Sequence, residues 1–420
     1  MKKIKEKKWY PWLVVVLLSG VAFLNYMDRQ MLSTMRFAMS EDIMEVATSY
    51  TGPWGWGALM AAFMWIYGLM SPVSGAIADR LNRKNLIVGS LFVWSTVTLL
   101  MGYVDSYVEL YVLRALMGFS EALYIPAALS LIADIHSGKT RSLAIGIHMT
   151  GIYLGQVAGG FGSIFSSLLN WHTVFIICGL VGIIYSVILI IFISDPGREK
   201  DSKQIETQSS QLSVMKSVML VLSNMAFWAV LFVFTTLSMP GWATKNWLPE
   251  LLANVISDNW NMPIGEAMNF AGPIAVISLA GASFIGAMIG GRLSDKWVQT
   301  NVRGRVYTSS IGLALIVPSL VFMGLGNSLI SVILAILCFG IGYGFFDTNN
   351  MPILCQFIPS RQRATAYGFI NMAGVLGGAA ITTMLGNLSL GIGFALLGGV
   401  TVLSLIIQMV ALRPKTVNME

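Results

Sequence analysis

The sequence predicts an all-α membrane protein of twelve transmembrane helices, and three observations lead there. Of its 420 residues, 55% are hydrophobic and only 11% are charged, with a mean hydropathy of +0.72, far from a soluble domain of this length. Charge-free stretches recur at the roughly 20 residues that a helix needs to cross the hydrocarbon core. Lysine and arginine collect in alternate loops, the bias of a multi-pass protein.

Single helices are expected in residues 9–27 (continuing across Asp28 and Arg29 to Met35), 46–78, 85–104, 107–133, 217–244 and 267–291. Residues 142–194, 306–346 and 364–412 are each long enough for two. Turn-like breaks divide them at Asn170-Trp171-His172, at Gly324-Leu325-Gly326-Asn327 and around Gly386 to Gly391. With the amino terminus cytoplasmic, every basic residue falls on the cytoplasmic side except Arg29, Arg36, Arg114 and Lys245. Both termini are therefore expected inside. Arg29 and Arg114 lie within spans, Lys245 in or near the seventh, and Arg36 in an outer segment.

The net charge of +6 and a pI near 9.2 follow from this topology, so no nucleic-acid partner is implied. The run Lys2, Lys3, Lys5, Lys7, Lys8 resembles the start of a signal peptide. The apolar stretch behind it is too long and no small-residue cleavage site follows, so it reads as a retained first helix. Cys178, Cys338 and Cys355 lie in helices without metal-like spacing. No metal, cofactor or catalytic constellation is expected, and hence no enzyme. Compact loops suit a bacterial inner membrane, with lipid as the surroundings and a monomer as the working unit.

A polar segment from Asp195 to Gln211 divides the chain nearly in half and has the composition of a linker. The expected organisation is a six-helix bundle in residues 1–194, a cytoplasmic linker in 195–222 and a second six-helix bundle in 223–420. The same punctuation appears in both halves. Gly75-Ala76-Ile77-Ala78-Asp79-Arg80 ends helix 2, and Gly291-Arg292-Leu293-Ser294-Asp295-Lys296 ends helix 8. Glu121 precedes Pro126 by five positions, as Asp347 precedes Pro352. Internal repeats of this kind mark secondary transporters that bind substrate between the repeats near the membrane midplane.

The stretch from Gly75 to Lys84 resembles the loop 2–3 signature of the major facilitator superfamily, G-x-x-x-D-R-x-G-R-K, with Asn82 in place of the second glycine. Within it, Asn25-Tyr26-Met27-Asp28-Arg29 resembles the helix 1 signature of the anion:cation symporter family. Residues 114–126, with Arg114, Gly118, Glu121 and Pro126, resemble its helix 4 signature, and Trp247-Leu248-Pro249 its helix 7 motif. The resemblance spans the chain and implies the major facilitator fold and a carrier in the sugar-acid, sialic acid and hexuronate branch. It also implies a cytoplasmic gate, in which Asp79 acts as a latch among Arg80, Arg83 and Asp295.

The residues themselves suggest roles. A charge at the bilayer centre costs about 2.5–3.5 kcal/mol on insertion scales, so intramembrane charges usually line a functional path. Arg114, Gly118 and Glu121 share one helix face at i, i+4, i+7. Helices 1 and 4 run in opposite directions, so Asp28 and Arg114 fall at similar depth and are expected to form an ion pair. Arg29 offers a planar fork that matches a carboxylate and is the expected receiver of an anionic substrate. Glu121 is expected to carry the coupling proton, as the resemblance also implies, since a glutamate in a low-dielectric bundle can exchange protons near neutral pH. Asp28 and Asp347 are further proton-site candidates. Tyr26, Gln156, Trp247, Asn350 and Asn371 are expected to read substrate hydroxyls or stack on a sugar ring, with Trp242 a further stacking candidate and His148 a candidate on the face of Gln156.

These expectations combine into a secondary active importer of a carboxylated sugar (hexuronate, aldonate or sialic acid), coupled to protons; sodium coupling is equally compatible with carboxylate ligands. Two alternatives remain open at this stage, a spinster-like carrier of lysolipid or another amphiphilic anion, and a proton-driven exporter of lipophilic drugs. An apolar lateral opening would favour the first, and the glycine-rich run from Gly151 to Gly162 is compatible with the second.

Overall fold

Helices start and stop at the glycines, prolines and asparagines that punctuate the sequence. The computed structural model describes residues 9–47, 55–136, 140–193, 214–359 and 362–416, and all regular structure among them is helical. The first half holds α1 (Tyr10–Met39), α2 (Trp56–Arg80), α3 (Arg83–Met101), α4 (Tyr107–Ala122), α5 (Tyr124–Ile135), α6 (Arg141–Gly159), α7 (Gly162–Leu169) and α8 (Trp171–Phe192). The second holds α9 (Val214–Leu222), α10 (Met225–Trp260), α11 (Ile264–Val298), α12 (Gly304–Leu325), α13 (Leu329–Asp347), α14 (Asn350–Phe357), α15 (Arg363–Leu385) and α16 (Leu390–Ala411). The pairs α4–α5, α6–α7 and α13–α14 form spans 4, 5 and 10. Among the described residues, eleven helices or helix pairs are long and apolar enough to cross a membrane, and twelve when the α6–α7 pair, bent by 49°, is taken as one span. The chain is an integral, multi-pass membrane protein.

All three expected breaks are present. At the first, Asn170 adopts a left-handed φ of 72° and its side chain accepts from the His172 amide, starting α8. Asn82, at the position of the signature's second glycine, has φ −64° rather than a positive value and caps α3 by accepting from the Asn85 amide.

Two further breaks follow from proline chemistry. Proline lacks an N–H, which frees the carbonyl four residues earlier. Pro126 frees Ala122, the last residue of α4, and Pro352 frees Thr348, immediately after α13. Glu121 and Asp347 thus each end a half-span beside an opened turn.

Charge-free length marks the middle of each span and misses its ends. Span 7, expected over 217–244, is α10 at Met225–Trp260, with α9 a separate helix. Lys245 and Glu250 lie inside it, the first lining the central cavity and the second buried in protein, so a charge does not end the span. The expected linker overlaps α9, and its part at 195–213 lies outside the described residues.

Span 6 shows the lipid-facing side most plainly. Ile177, Leu180, Val181, Ile184, Val187 and Ile191 form an exposed apolar row at helical spacing, the surface that hydrocarbon would cover. Glycines set the closest helix contacts. A Cβ on Gly151 or Gly155 would come within 2.3 Å of the backbone oxygens of Ser19 and Phe23, so α6 lies directly on α1. In the corresponding pair of the second half, Gly374 and Gly378 of α15 make room for the side chains of Ser238 and Trp242 of α10.

Gly155→Val should therefore force α6 off α1, at about 1–3 kcal/mol for overpacking. Gly146→Ala, whose Cβ would meet open space, should be neutral. Thermal unfolding in detergent, followed by size exclusion, should show a lower midpoint for the first variant alone.

Candidate functional site

A cavity of about 610 Å³ lies between the two sets of six helices. Its polar wall comes from Tyr26 of α1, Gln156 of α6, Lys245 of α10, Asp347 of α13 and Asn371 of α15. Residues such as Ile125, Leu129, Leu279 and Phe339 supply apolar surface. A side pocket of about 160 Å³ opens within the second half between α10, α13 and α15, and shares Lys245, Tyr343, Asp347, Tyr367 and Asn371 with the main cavity.

Behind the first-half wall lies a buried charge cluster. Arg29 Nε donates to Glu121 Oε2 at 2.5 Å, and Glu121 is fully buried. The Arg29 guanidinium lies 4.8, 4.6 and 4.7 Å from the rings of Tyr26, Phe63 and Tyr67, within cation–π range. Tyr26 and Tyr67 line the cavity, whereas Arg29 stands one layer back.

The pairing expected from depth alone is not the pairing found. Asp28 Oδ2 accepts from Thr98 at 3.2 Å, and Arg114 Nη1 contacts the Met117 sulfur at 3.3 Å. Among the described residues Arg114 makes no ion pair within 4.0 Å; its guanidinium lies 5.1 Å from the Phe63 ring. Helix direction fixes the depth of a residue and leaves its azimuth open, and azimuth gives Glu121 to Arg29. The cluster also holds unsatisfied atoms, namely Asn25 Oδ1 and Nδ2, Asp28 Oδ1, Arg29 Nη2, Arg114 Nε and Glu121 Oε1. Unsatisfied buried polar groups are costly.

The other expected substrate contacts divide by position. Gln156, Tyr26 and Asn371 line the main cavity, and Asn371 Nδ2 donates to Ser71 Oγ across the halves at 2.8 Å. Asn350 lies in the side pocket, donating to Asp347 Oδ1 at 3.1 Å, and Trp242 lines it too. Trp247 is off the cavity. It is buried, its Nε1 donates to the Thr382 carbonyl at 3.1 Å, and its ring lies 5.5 Å from Arg36. His148 is fully buried against Tyr124, away from the cavity.

Arg36 and Glu250 are the pair the sequence reading missed. Arg36 ends α1 in the protein interior, donates to the Val46 carbonyl at 2.9 Å, and bonds Glu250 of α10 through Nη1. Its position seven residues after Arg29, on the same helix face, was the available signal. Around this ion pair the halves close on the side opposite the termini. Gly57 of α2 packs on Gly386 of α15, Ser163 donates to the Met268 carbonyl at 3.1 Å, and Gly272 packs on the Gly160 carbonyl. Pro249 frees the Lys245 carbonyl, which accepts from Gln30 across the halves at 3.4 Å.

Of the expected gate residues, the Asp79 and Arg80 side chains lie outside the described residues. Arg83 forms an ion pair with Asp134, and Asp295 is exposed near the end of α11.

Residues 18–382 match the model of the Major Facilitator Superfamily. Spinster homolog 1 of Xenopus tropicalis is 26% identical over 394 residues, covering 90% of this chain and 72% of its own length. The probable galactarate/D-glucarate transporter GarP of Escherichia coli strain K12 is 24% identical, covering 90% and 88%. The hexuronate transporter of the same strain is 25% identical, covering 94% and 90%. In fold, the chain is similar to a bacterial homolog of the human lysosomal transporter Spinster in an inward-facing, unoccupied conformation, with TM-score 0.73 at 20% identity over 96% of both chains. It is likewise similar to the nucleoside transporter NupG, with TM-score 0.72 at 14% identity over 95% and 100%.

Removing one member of the Arg36–Glu250 pair should leave the other charge buried and alone, at about 3–5 kcal/mol. Arg36→Gln and Glu250→Gln should each lower the thermal midpoint, and the double variant should recover part of the loss. A double variant no more stable than the weaker single would show that the two charges do not stabilise each other.

Proposed function

We propose that this chain, which belongs to the major facilitator superfamily and is a transporter, imports a carboxylated sugar together with protons by alternating access. The observation that carries this reading is the Arg29–Glu121 pair behind the Tyr26 and Tyr67 wall of the central cavity. A guanidinium already held by a carboxylate is matched to a second carboxylate, that of the cargo. Glu121 must then give it up, and a proton taken up by Glu121 releases Arg29 while the cargo carboxylate cancels the positive charge that the proton brings. Anion and proton binding become one event.

The rest of the reading follows from the same geometry. Residues 1–194 and 223–420 act as two bundles that rock about the cavity, joined by 195–222. With both termini in the cytoplasm of a bacterial cell, the side sealed by Arg36–Glu250 is the outside, and the structure is an inward-facing state. Asp79, Arg80, Arg83 and Asp295 gate the cytoplasmic side when it closes, and Asp28 is a second proton site beside Glu121. Gln156 and Asn371 read cargo hydroxyls.

A second reading, transport of a lysolipid or similar amphiphilic anion, is favoured by the apolar wall through Ile125, Leu129 and Phe339 and by the similarity to the spinster proteins. Competition between D-glucuronate and a lysolipid for uptake separates the two.

The coupling claim is tested in proteoliposomes. Glu121→Gln mimics the protonated state, so it should exchange D-glucuronate between equal pools and fail to accumulate it when an inward proton gradient is imposed. Arg29→Lys should fail in both assays, because an ammonium keeps the charge and loses the fork. Full proton-driven accumulation by Glu121→Gln would remove Glu121 as the coupling site. Wild-type uptake indifferent to the proton gradient would end the symport reading.

A further inference from the structure

Lys245 is the cation that lines the cavity itself, and neither the resemblance nor the pairing of Arg29 with Glu121 gives it a role. It lies on α10, in the half opposite Arg29, and lines both the main cavity and the side pocket. Its ammonium is 5.2 Å from the Trp242 ring and 5.7 Å from the Tyr343 ring. Among the described residues it has no carboxylate within 4.0 Å. Asp347, which lines the same two cavities, acts on it electrostatically and is bonded instead to Asn350. Arg29, one layer behind Tyr26 and Tyr67, also acts on Lys245 electrostatically.

We infer that Lys245 is a second anion anchor, and that the cargo class is a sugar acid with carboxylates at both ends. The inference rests on the reading that this cavity carries sugar acids. Two cations on opposite bundles, Lys245 on the cavity wall and Arg29 behind it, with Gln156 and Asn371 lining the same cavity, match a chain that is anionic at each end and hydroxylated along its middle. A monocarboxylate would engage one bundle only. A dicarboxylate engages both and draws them together across the cavity. Asp347 supplies the compensating charge while the site is empty, when Lys245 would otherwise stand alone in a low-dielectric region. When a cargo carboxylate arrives, Asp347 opposes it, which weakens binding enough to permit release.

Galactarate and D-galactonate serve as probes, because they share their hydroxyl pattern and differ in one terminal carboxylate. Binding is measured by calorimetry on full-length protein in detergent. Wild type should bind galactarate at least tenfold more tightly than galactonate, and Lys245→Gln should bring galactarate down to the galactonate level while leaving galactonate within a few-fold. Asp347→Asn should shift galactarate in the opposite direction, toward tighter binding, a sign that general loss of structure does not produce. The same variant should retain exchange in proteoliposomes and lose net uptake, since its empty form leaves Lys245 uncompensated. Equal wild-type affinity for the two probes, or an undiminished preference in Lys245→Gln, would overturn the inference and leave the sugar-acid reading standing. Lysophosphatidate is the third probe. If wild type binds it and neither sugar acid, the cargo class is lost, and loss of that binding in Lys245→Gln would retain Lys245 as an anion anchor. A wild type that binds none of the three overturns both readings.

Discussion

Charge compensation in a low-dielectric interior is the constraint on which the rest of this structure depends. Arg29 and Glu121 satisfy it locally, within one bundle. Arg36 and Glu250 satisfy it across the two halves, so that the same interaction that removes a buried charge also seals one side of the membrane. Opening that side means parting the pair, and a buried pair that is parted leaves two costly charges unless water or another partner replaces it.

Backbone chemistry places these charges as firmly as side-chain chemistry does. Pro126 and Pro352 open turns next to Glu121 and Asp347, and Pro249 frees a carbonyl that Gln30 reaches from the other half. Pro126 and Pro352 follow breaks in their spans, whereas Pro249 lies within the continuous α10, and a freed carbonyl within a span is tolerated only if it faces protein or a polar cavity. Glycines act in the opposite sense, since Gly151 and Gly155 let α6 touch the α1 backbone and so hold the frame stiff around the opened turns. Rigid contacts within a half and interrupted helices at the cavity are what relative motion of two bundles requires.

Much of this was legible in the sequence. The twelve spans follow from length and from breaks at Asn170, Gly326 and Gly386, because insertion into lipid imposes a uniform length that composition reveals. The ends of spans were less legible, because Lys245 faces the cavity and Glu250 faces protein, and a rule based on charge-free length places both outside the membrane. The breaks at Leu123 and Thr348 were encoded in the prolines but hidden within stretches that read as continuous. Ion-pair partners were the least legible feature. Depth follows from helix direction, but whether Arg29 or Arg114 turns toward Glu121 depends on how α1, α2 and α4 rotate against one another, and that is set by contacts such as Gly118 on the Phe63 backbone.

The two halves keep the same acid-then-proline pattern and put it to different use. Glu121 is held by Arg29 at 2.5 Å, so its carboxylate is already engaged. Asp347 stands near Lys245 without a direct bond and is held by the neutral Asn350 instead. In a symmetric pair of bundles, two equally closed ion pairs would leave no cation accessible to a cargo, and two equally open ones would leave two unpaired cations when the cavity empties. One closed and one open arrangement avoids both costs. The repeat explains why an acid lies at each position, and the differing partners explain why the cavity wall presents Lys245 openly while keeping Arg29 one layer behind Tyr26 and Tyr67.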